Sequence, residues 1–388
     1  MSNRRRVPGG AGSGGSGLSR REFLTRAGLG LGAITAAPAI LAACGGSSSS
    51  SSSDKSVAIS NWTSYMNPAL LKQFEKETGV KVTYTEDIND NNEYFAKIRP
   101  NLSKHQSIGR DGFVLTDWMA SRMINQVKWV EPLVASKFPN KANLRAALAH
   151  PAFDPQRKYS APWASGMTGI AYNSNTVGGD IHTIKDFLDA SGTKSVLTEM
   201  RDTVGLFMAG LGADPAEATY ASATPAFDAI QAAVDKGKIS GFNGNEYVTD
   251  LASGNLAAAF AWSGDVAQIT LDKPEVKFVV PESGGMLWSD NFMIPYTSDK
   301  AAMATEFINF FYDPKNAASL AAKIQYVSPV DGVAEQLTAM GGSAAKLVQN
   351  PLVVPTDASL AALHIFGPLD SAQEVKFDKR FSEILGSG

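Results

Sequence analysis

The chain after residue 56 is predicted to be an α/β protein in which helices cover largely parallel sheets. Short runs of β-branched and apolar residues alternate there with amphipathic helical segments, which is typical of strand–helix–strand units. The folded part covers about 330 residues, from Val57 to Gly388, and this length suggests two domains. Right-handed crossovers place loops at the carboxyl ends of parallel strands, so a ligand site is expected at that edge.

Residues 1–43 are predicted to be a twin-arginine signal peptide. Arg20 and Arg21 stand within the export pattern of residues 19–24, and the stretch from Ala27 to Ala43 contains no charged residue. That stretch is too short and its side chains are too small for a comfortable membrane span.

Residues 44–54 are predicted to be a lipidated cysteine followed by a tether. Leu41-Ala42-Ala43-Cys44 reads as a lipobox, and Cys44 is the only cysteine of the chain, so no intrachain disulfide forms. A buried helix with an incidental cysteine is the alternative, and the order of the two patterns disfavours it. The serine run 47–53 behaves as flexible coil. We expect the protein to be lipid-anchored on the outer face of the cytoplasmic membrane or in the periplasm.

The charge of the mature chain excludes some classes of partner. Loss of the six arginines and one glutamate of residues 1–43 changes the formal charge from −3 to −8. Nucleic acids and anionic lipid heads are bound by clustered Lys and Arg, so an acidic protein favours cations instead. After Cys44 no apolar run approaches the roughly 20 residues of a membrane span. Contact with the membrane is therefore expected only through the lipid.

The first part of the folded chain alternates between strands and helices. Val57 to Asn61 is predicted as a strand, and Pro68 opens a helix that Gly79 closes. A strand, a helix and another strand follow, and Asp117 is predicted to cap the next helix. The three intervening segments are Val80–Tyr84, Tyr94–Leu102 and Phe113–Leu115.

The alternation continues as far as Lys300, after which the chain is predicted to be mostly helical. Phe307, Phe310 and Phe311 share one amphipathic segment there and are predicted to be core residues. A helix is predicted at Phe227–Lys236. The strand candidates of this part are Gly169–Tyr172, Val196–Thr198, Leu256–Trp262 and Val276–Val280.

No motif of catalysis or of cofactor binding has the sequence context that it needs. A GxGxxG match occurs at Gly10, Gly12 and Gly15, but no predicted strand precedes it. The four histidines are scattered without an HExxH pattern or a cysteine partner, which argues against a zinc site. Neither a GxSxG elbow nor a GxxxxGK[ST] phosphate loop occurs, so the enzyme interpretation is weakened. We expect no metal, no cofactor and no catalytic residue.

Four of the six tryptophans fall where a predicted strand becomes a loop, at Trp62, Trp118, Trp262 and Trp288. Any one of them can simply close the end of a core. Together, however, indole faces attract cations and nearby carboxylates fix where each charge lies. Rings that bury methylene groups, with Asp290 and another acid facing ammonium groups, suit a polyamine.

Several segments carry a family resemblance. The most specific are Asn61-Trp62-Thr63-Ser64-Tyr65, followed by Phe74–Gly79, and Gly284–Asp290, followed by Ile294-Pro295. At these segments the sequence resembles the spermidine/putrescine-binding proteins of bacterial ABC importers, which have the type II periplasmic-binding-protein fold. The resemblance implies two lobes with a ligand cleft between them. It places lobe 1 at 55–165 plus 289–337 and lobe 2 at 166–288 plus 338–388.

The resemblance also implies the ligand contacts, position by position. The aromatic contacts fall on six residues, the hydroxyl contact falls on Thr116, and the amine-binding carboxylate falls on Asp290. The aromatic residues are Trp62, Tyr65, Trp118, Trp262, Trp288 and Tyr326.

One departure leaves the ligand open. The two other amine-binding acids of the family align on Met200 and Thr203, which cannot pair with an ammonium group. Four acids are candidate substitutes, and the alternatives are a ligand with fewer amines or one that is not a polyamine. The candidate acids are Glu199, Asp202, Asp117 and Asp265.

The function that the resemblance implies is capture of a polyamine by a monomeric lipoprotein and its delivery to an ABC permease. Ligand would favour a closed form that the permease recognises. Three alternatives stay open: an exported enzyme on the same fold that uses Glu199, Asp202 or Asp265 as acid or base, a surface sensor, and a binding protein for another small cationic or organic solute.

Overall fold

One mixed sheet of eleven strands runs through residues 55–387, which are the residues that the computed structural model describes. The predicted export signal, with Arg20 and Arg21, and the predicted lipid site at Cys44 lie outside the described residues. Within residues 55–387 there is no helix of the length and apolar character that crossing a membrane requires.

The first part of the described chain contains three helices and five strands. The elements of this part are β1 Ser56–Trp62, α1 Pro68–Thr78, β2 Lys81–Ile88, α2 Asn91–Leu102, β3 Gly112–Thr116, α3 Asp117–Ser121, β4 Val130–Glu131 and β5 Ser160–Asn173. Short 3₁₀ turns and one π-helical turn, Arg122–Gln126, connect the later ones.

The central part adds five helices and five strands. They are α4 Ile184–Asp189, β6 Lys194–Leu197, α5 Met200–Gly210, α6 Tyr220–Asp235, β7 Gly241–Asn243, α7 Tyr247–Ser253, β8 Ala258–Trp262, α8 Ser263–Ile269, β9 Val276–Val279 and β10 Gly285–Pro295. The last part is mostly helical, as predicted. It contains α9 Ala301–Phe311, α10 Pro314–Ile324, α11 Val333–Met340, α12 Gly342–Lys346, α13 Asp357–Ala361, β11 Leu363–His364 and α14 Ser371–Leu385.

Helix α1 shows how local sequence sets an element. The Asn67 side chain accepts from the backbone N–H of Ala69, and Pro68 occupies the first turn, where its missing N–H has no consequence. Gly79 ends the helix at φ 72°, a left-handed conformation that favours glycine. Both predicted ends of this helix are confirmed. The predicted cap at Asp117 is wrong, because Thr116 occupies the cap position and Asp117 is the first helical residue.

The α/β prediction is confirmed, whereas the expectation of largely parallel sheets is only partly right. The strand order is β2-β1-β3-β10-β5-β8-β6-β7. Strand β1 runs parallel to β2 and β3, and β6 runs parallel to β7 and β8. In the centre, β10 is antiparallel to β3 and to β5, and β5 is antiparallel to β8. Two long strands, rather than helical crossovers, therefore join the two parallel groups.

Strand β5 explains why the sequence pattern missed this centre. It extends over 14 residues, and all but the last of them are buried. A strand buried on both faces lacks the alternation of polar and apolar residues that marks a half-buried strand. Only its last third, Gly169–Tyr172, was predicted from the sequence.

Helix α9 supplies the phenylalanines of the core. Phe307 is fully buried and lies with its ring centroid 5.5 Å from that of Phe74, in an edge-to-face contact. Phe310 and Phe311 are buried beside it. The prediction that these three rings belong to the core is confirmed.

Replacing Phe307 with alanine should lower the free energy of unfolding by about 3–5 kcal/mol, because a large fully buried ring leaves a cavity. Urea unfolding followed by circular dichroism measures this loss. Val375→Ala on α14 is the control, since Val375 is 67% exposed and its loss should change stability by less than about 0.5 kcal/mol. Equal losses in both variants would contradict this account of the core.

Candidate functional site: an aromatic cavity with buried carboxylates

A cavity of about 710 Å³, counting the space at its mouth that is open to solvent, lies where several strands of the sheet end. Trp62 is the last residue of β1, Thr116 the last of β3 and Trp262 the last of β8. The structure brings all eight predicted ligand contacts and all four candidate acids to this one cavity. They are Trp62, Tyr65, Thr116, Trp118, Trp262, Trp288, Asp290 and Tyr326, with Asp117, Glu199, Asp202 and Asp265.

Trp288 reaches the cavity in a way that the sequence did not predict. It lies in the middle of β10, not at the junction of a strand and a loop. Adjacent residues of a strand point to opposite faces, so residues 288 and 290 share one face. Trp288 and Asp290 therefore present an indole and a carboxylate on the same side of β10.

The aromatic rings form a connected wall in which most neighbours meet edge to face. The ring centroids of Trp62 and Trp262 are 5.7 Å apart, and those of Trp262 and Trp288 are 6.5 Å apart, both pairs at 78°. Tyr326 continues the wall at 5.6 Å from Trp288 and at 5.0 Å from Tyr65. Such a wall offers apolar contact to a methylene chain and π-electron density to a cation.

Hydrogen bonds fix the orientation of three of these indoles. The Nε1–H of Trp62 donates to the carbonyl of Val114 at 3.0 Å. The Nε1–H of Trp288 donates to Oγ1 of Thr168 at 3.0 Å. The Nε1–H of Trp262 donates to the carboxylate of Asp202 at 2.8 Å. Buried indole N–H groups need such acceptors, and each bond favours the observed orientation of its ring.

Two glycines leave room for the rings. A Cβ atom on Gly166 would lie 2.5 Å from the Trp288 ring, and one on Gly264 would overlap the Tyr326 ring. A side chain at either position would force these rings to move. The glycines are therefore explained by close approach of the rings rather than by backbone conformation.

Asp290 is a buried acid that two neutral hydroxyl groups contact. The Tyr65 hydroxyl donates to its Oδ2 at 3.0 Å, and the Thr116 hydroxyl donates to its Oδ1 at 2.8 Å. Burial raises the pKa of Asp290 to about 7, and the nearby negative charges of Asp117 and Asp202 also raise it. A cation beside Asp290 would favour its charged form.

Asp265 and Asp202 are also buried and also hydrogen-bonded by neutral groups. The Tyr247 and Tyr326 hydroxyls donate to Asp265 at 2.7 Å and 2.8 Å. The Trp262 Nε1–H donates to Asp202 at 2.8 Å. Burial raises the pKa of each of these carboxyl groups to about 6.

Glu199 joins two segments that are distant in sequence. It accepts from the backbone N–H and the side-chain amide of Asn91 at 3.3 Å and 2.9 Å, and from the Trp118 Nε1–H at 3.2 Å. Burial raises the pKa of Glu199 well above its usual value, and the negative charges of Asp90 and Asp202 add to the rise.

Asp117 differs from the other acids because a cation lies behind it. Asn291 donates to Asp117 at 2.6 Å and accepts from the Arg157 guanidinium at 2.7 Å. Burial raises the pKa of Asp117 to about 6, and both the Asn291 hydrogen bond and the Arg157 charge work against that rise. Asp117 therefore has less need of a cationic ligand than Asp290 has.

The two positions that departed from the family pattern do not line the cavity. The Thr203 hydroxyl donates to the carbonyl of Leu197, and helix α5 starts at Met200. Glu199 and Asp202 are three residues apart at the start of α5, which puts them on one face of the helix. Both line the cavity instead of Met200 and Thr203.

Comparison with known proteins adds the family. A family model described as bacterial extracellular solute-binding protein matches residues 69–352. The chain belongs to this family. A solute-binding protein needs a cavity for its solute, and the aromatic and acidic cavity is one.

This solute-binding protein is similar to two proteins that are named for polyamine binding. It is 27% identical over 307 residues to the spermidine/putrescine-binding periplasmic protein 1 of Haemophilus influenzae, covering 76% of this chain and 83% of the relative. It is 29% identical over 303 residues to the putrescine-binding periplasmic protein PotF of Escherichia coli, covering 71% and 78%.

A solved structure supports the predicted periplasmic-binding-protein fold. A Listeria monocytogenes protein described as a candidate spermidine/putrescine ABC transporter superimposes with a TM-score of 0.76 at 26% identity, covering 85% of this chain and 98% of that one. The TpPotD lipoprotein of Treponema pallidum, at 23% identity and a TM-score of 0.70, agrees in fold. The predictions of family and fold class are confirmed.

Several cavity residues of this solute-binding protein escaped sequence analysis. They are Thr63, Arg201, Asn245, Met286, Leu287, Ile365 and Phe366. Met286 and Leu287 precede Trp288 within Gly284–Asp290, a segment that carries the family resemblance. Their position next to Trp288 therefore indicated that they lie near the ligand site. Ile365 and Phe366 follow β11 near the C-terminus, and nothing in the local sequence there indicates a ligand site.

The free energy of unfolding of this ligand-free solute-binding protein should fall as pH rises from about 4 to about 7. An unfolded aspartate titrates near 4, whereas the folded-state pKa of Asp290 is raised to about 7, so the folded form holds more protons in that window. The contribution of Asp290 is on the order of 4 kcal/mol, present below the unfolded pKa and lost as pH passes the folded pKa.

Urea unfolding at several pH values, with Asp290→Asn as the control, measures this slope. The variant lacks the titrating carboxyl group, so its stability should depend less steeply on pH over the same window. Identical slopes in the two proteins would contradict the assigned pKa of Asp290.

Proposed function

We propose that this protein is the extracytoplasmic binding component of an ABC importer and that it captures putrescine or spermidine in the aromatic, acidic cavity. The observation that carries the proposal is a set of buried carboxylates that, among residues 55–387, accept hydrogen bonds only from neutral groups. Asp290, Asp265 and Asp202 each accept hydrogen bonds from hydroxyl or indole groups. The names of the relatives point to the same class of ligand.

Electrostatics explains why a polyamine suits this cavity. A buried carboxylate without a cationic partner is unfavourable, and the raised pKa values of these acids express that penalty. Each ammonium group of a polyamine relieves one such carboxylate through a charge-assisted hydrogen bond. The methylene segments between the ammonium groups then lie against the rings of Trp62, Trp262 and Trp288.

The proposal includes two lobes that close on the ligand, lobe 1 at 55–165 plus 289–337 and lobe 2 at 166–288 plus 338–388. Strand pairing supports this division, because β3 pairs with Asp290–Met293 of β10 and β8 pairs with Thr168–Tyr172 of β5.

Direct contacts across the proposed division support closure. Asn91 and Trp118, in lobe 1, both donate to Glu199 in lobe 2. Asn245, in lobe 2, donates from its backbone and side chain to Asn89 in lobe 1 at 2.7 Å and 3.0 Å. Such contacts form only when the cleft shuts, so a ligand that bridges the lobes favours the closed form.

The proposal extends to location and assembly. The protein is exported by the twin-arginine route, anchored by lipid on Cys44 and held near its permease by the serine tether, which raises its local concentration there. It acts as a monomer and performs no chemistry on its ligand.

Calorimetric titration of the refolded, ligand-free protein should show saturable binding of putrescine or spermidine. Trp288→Ala and Asp290→Asn should each weaken the binding at least tenfold, about 1.4 kcal/mol, since one removes ring contact and the other a charge. Trp129→Phe is the matched control, because Trp129 packs on Phe95 outside the cavity.

Three results would contradict the ligand assignment. The first is that neither amine binds while another solute does. The second is that both cavity variants keep wild-type affinity. The third is that mass spectrometry finds the bound amine chemically altered. The last result would favour an enzyme on this fold.

Cys44→Ser should move the protein from the membrane fraction to the soluble extracytoplasmic fraction, because the lipid is its proposed anchor. Replacing Arg20 and Arg21 with lysine should instead keep the precursor inside the cell. Cell fractionation followed by immunoblotting distinguishes the two outcomes. Membrane retention of the Cys44→Ser protein would refute the lipid anchor.

A further inference from the structure

Arg201 is a cation in the lining of an otherwise acidic cavity. A positive charge there does not attract the cationic solute of the proposed function, so its presence needs another explanation. Arg201 belongs to the first turn of α5, between Glu199 and Asp202, and only 4% of its side chain is exposed. Burial lowers the pKa of Arg201 to about 10, while the charges of Glu374 and Glu199 raise it. At neutral pH the guanidinium therefore remains charged.

The partners of this guanidinium come from two distant parts of the chain, helix α3 and the C-terminal part that contains α14. It lies over the ring of Trp118, with Cζ 4.2 Å from the ring centroid, and 5.2 Å from the centroid of Phe366. One terminal nitrogen donates to Glu374 of helix α14 at 3.0 Å, and the other lies 3.4 Å from the Gly367 carbonyl. Planar stacking combined with directed hydrogen bonds is a property of arginine that lysine lacks.

Glu374 connects the same helix to the segment that carries Trp118. The second oxygen of Glu374 lies 3.7 Å from Nε of Arg122, in the turn that directly follows α3. Glu374 therefore contacts the ring of Trp118 indirectly, through Arg201, and the backbone segment of Trp118 through Arg122. In the proposed division, Trp118 and Arg122 belong to lobe 1, whereas Arg201 and Glu374 belong to lobe 2.

Trp118 in turn orients one of the cavity acids. Its Nε1–H donates to Oε1 of Glu199, whose other oxygen accepts from Asn91. A shift of the Trp118 ring would remove this donor and leave Oε1 of Glu199 unpaired, with Glu199 held only by Asn91. The position of Arg201 is thus transmitted through one ring to a carboxylate of the cavity wall.

Helix α14 has apolar contacts that hold it in addition to this ion pair. Phe377, Phe381 and Ile384 of α14 are buried, and Phe377 contacts Phe227 at 5.3 Å between centroids. A buried ion pair contributes little net stability, because desolvation offsets its attraction. Its location beside the cavity therefore calls for another explanation than holding the helix in place.

We propose that Arg201, held by Glu374, is a positioning residue that keeps Trp118 and Glu199 closed over the bound ligand, so that helix α14 governs ligand release. This inference rests on the proposed function. Contacts that form only in the closed state act on the dissociation rate, because they are absent while the ligand enters.

Stopped-flow tryptophan fluorescence with putrescine and spermidine tests the proposal on the full-length protein. Arg201→Met keeps an apolar stem of similar length and should raise the dissociation rate at least tenfold, with the association rate changed by less than about threefold. Arg201→Lys should also dissociate faster than the wild-type protein, because lysine keeps the charge but not the planar group. Glu374→Gln should raise the dissociation rate to a smaller extent, since it keeps the shape and loses only the charge.

Arg380→Met is the matched control. Arg380 belongs to the same helix and pairs with Asp228 at 3.3 Å, on the surface rather than beside the cavity. This variant should keep wild-type rates. Urea unfolding of every variant separates a loss of fold from a loss of positioning.

The outcomes distinguish this inference from the proposed function. If the wild-type protein binds an amine and folded Arg201→Met and Glu374→Gln proteins release it at the wild-type rate, the positioning role is refuted and the polyamine proposal stands. If the wild-type protein binds neither amine, the polyamine proposal fails. The rate comparison is then made with the solute that native mass spectrometry finds on the purified protein, and the same criterion applies.

Discussion

The structure depends on one electrostatic constraint: several carboxylates are buried together in one cavity, and most of them have no cationic partner within the part of the chain that the structure describes. Asp290, Asp265 and Asp202 are held by tyrosine, threonine and tryptophan donors, which stabilise a carboxylate without neutralising it. Fully buried charges of like sign are tolerated only when hydrogen bonds are plentiful, and here the pKa values are raised even so. A cation beside these carboxylates would therefore stabilise their charged forms.

The mixed sheet is what allows acids from distant segments to meet. Strands β5 and β10 are antiparallel and long enough to pair with a parallel group at each end. The ends of β1, β3 and β8 therefore converge on the middle of β10, where Trp288 and Asp290 lie. A sheet built only from helical crossovers would have placed all strand ends at one edge and left no shared centre.

Sequence reasoning succeeded where the signal is local. The ends of α1 follow from Asn67, Pro68 and Gly79, and the burial of Phe307 follows from its place in an amphipathic helix. The aromatic and acidic residues of the cavity were found because they stand in short, recognisable segments. Strand β5 was largely missed because burial on both faces removes the alternation by which a strand is recognised.

Arg201 shows why the rest of the site was out of reach of the sequence. From the neighbouring residues alone, an arginine between two acids at the start of a helix is expected to be exposed to solvent. Its actual environment depends on Glu374, 173 residues later, and on the rings of Trp118 and Phe366. Because Glu374 takes up the positive charge of Arg201, the guanidinium can stack beside the cavity without neutralising Asp290 or Asp202. Asp290 and Asp202 consequently stay without a cationic partner, while the guanidinium of Arg201 holds the ring of Trp118 beside them.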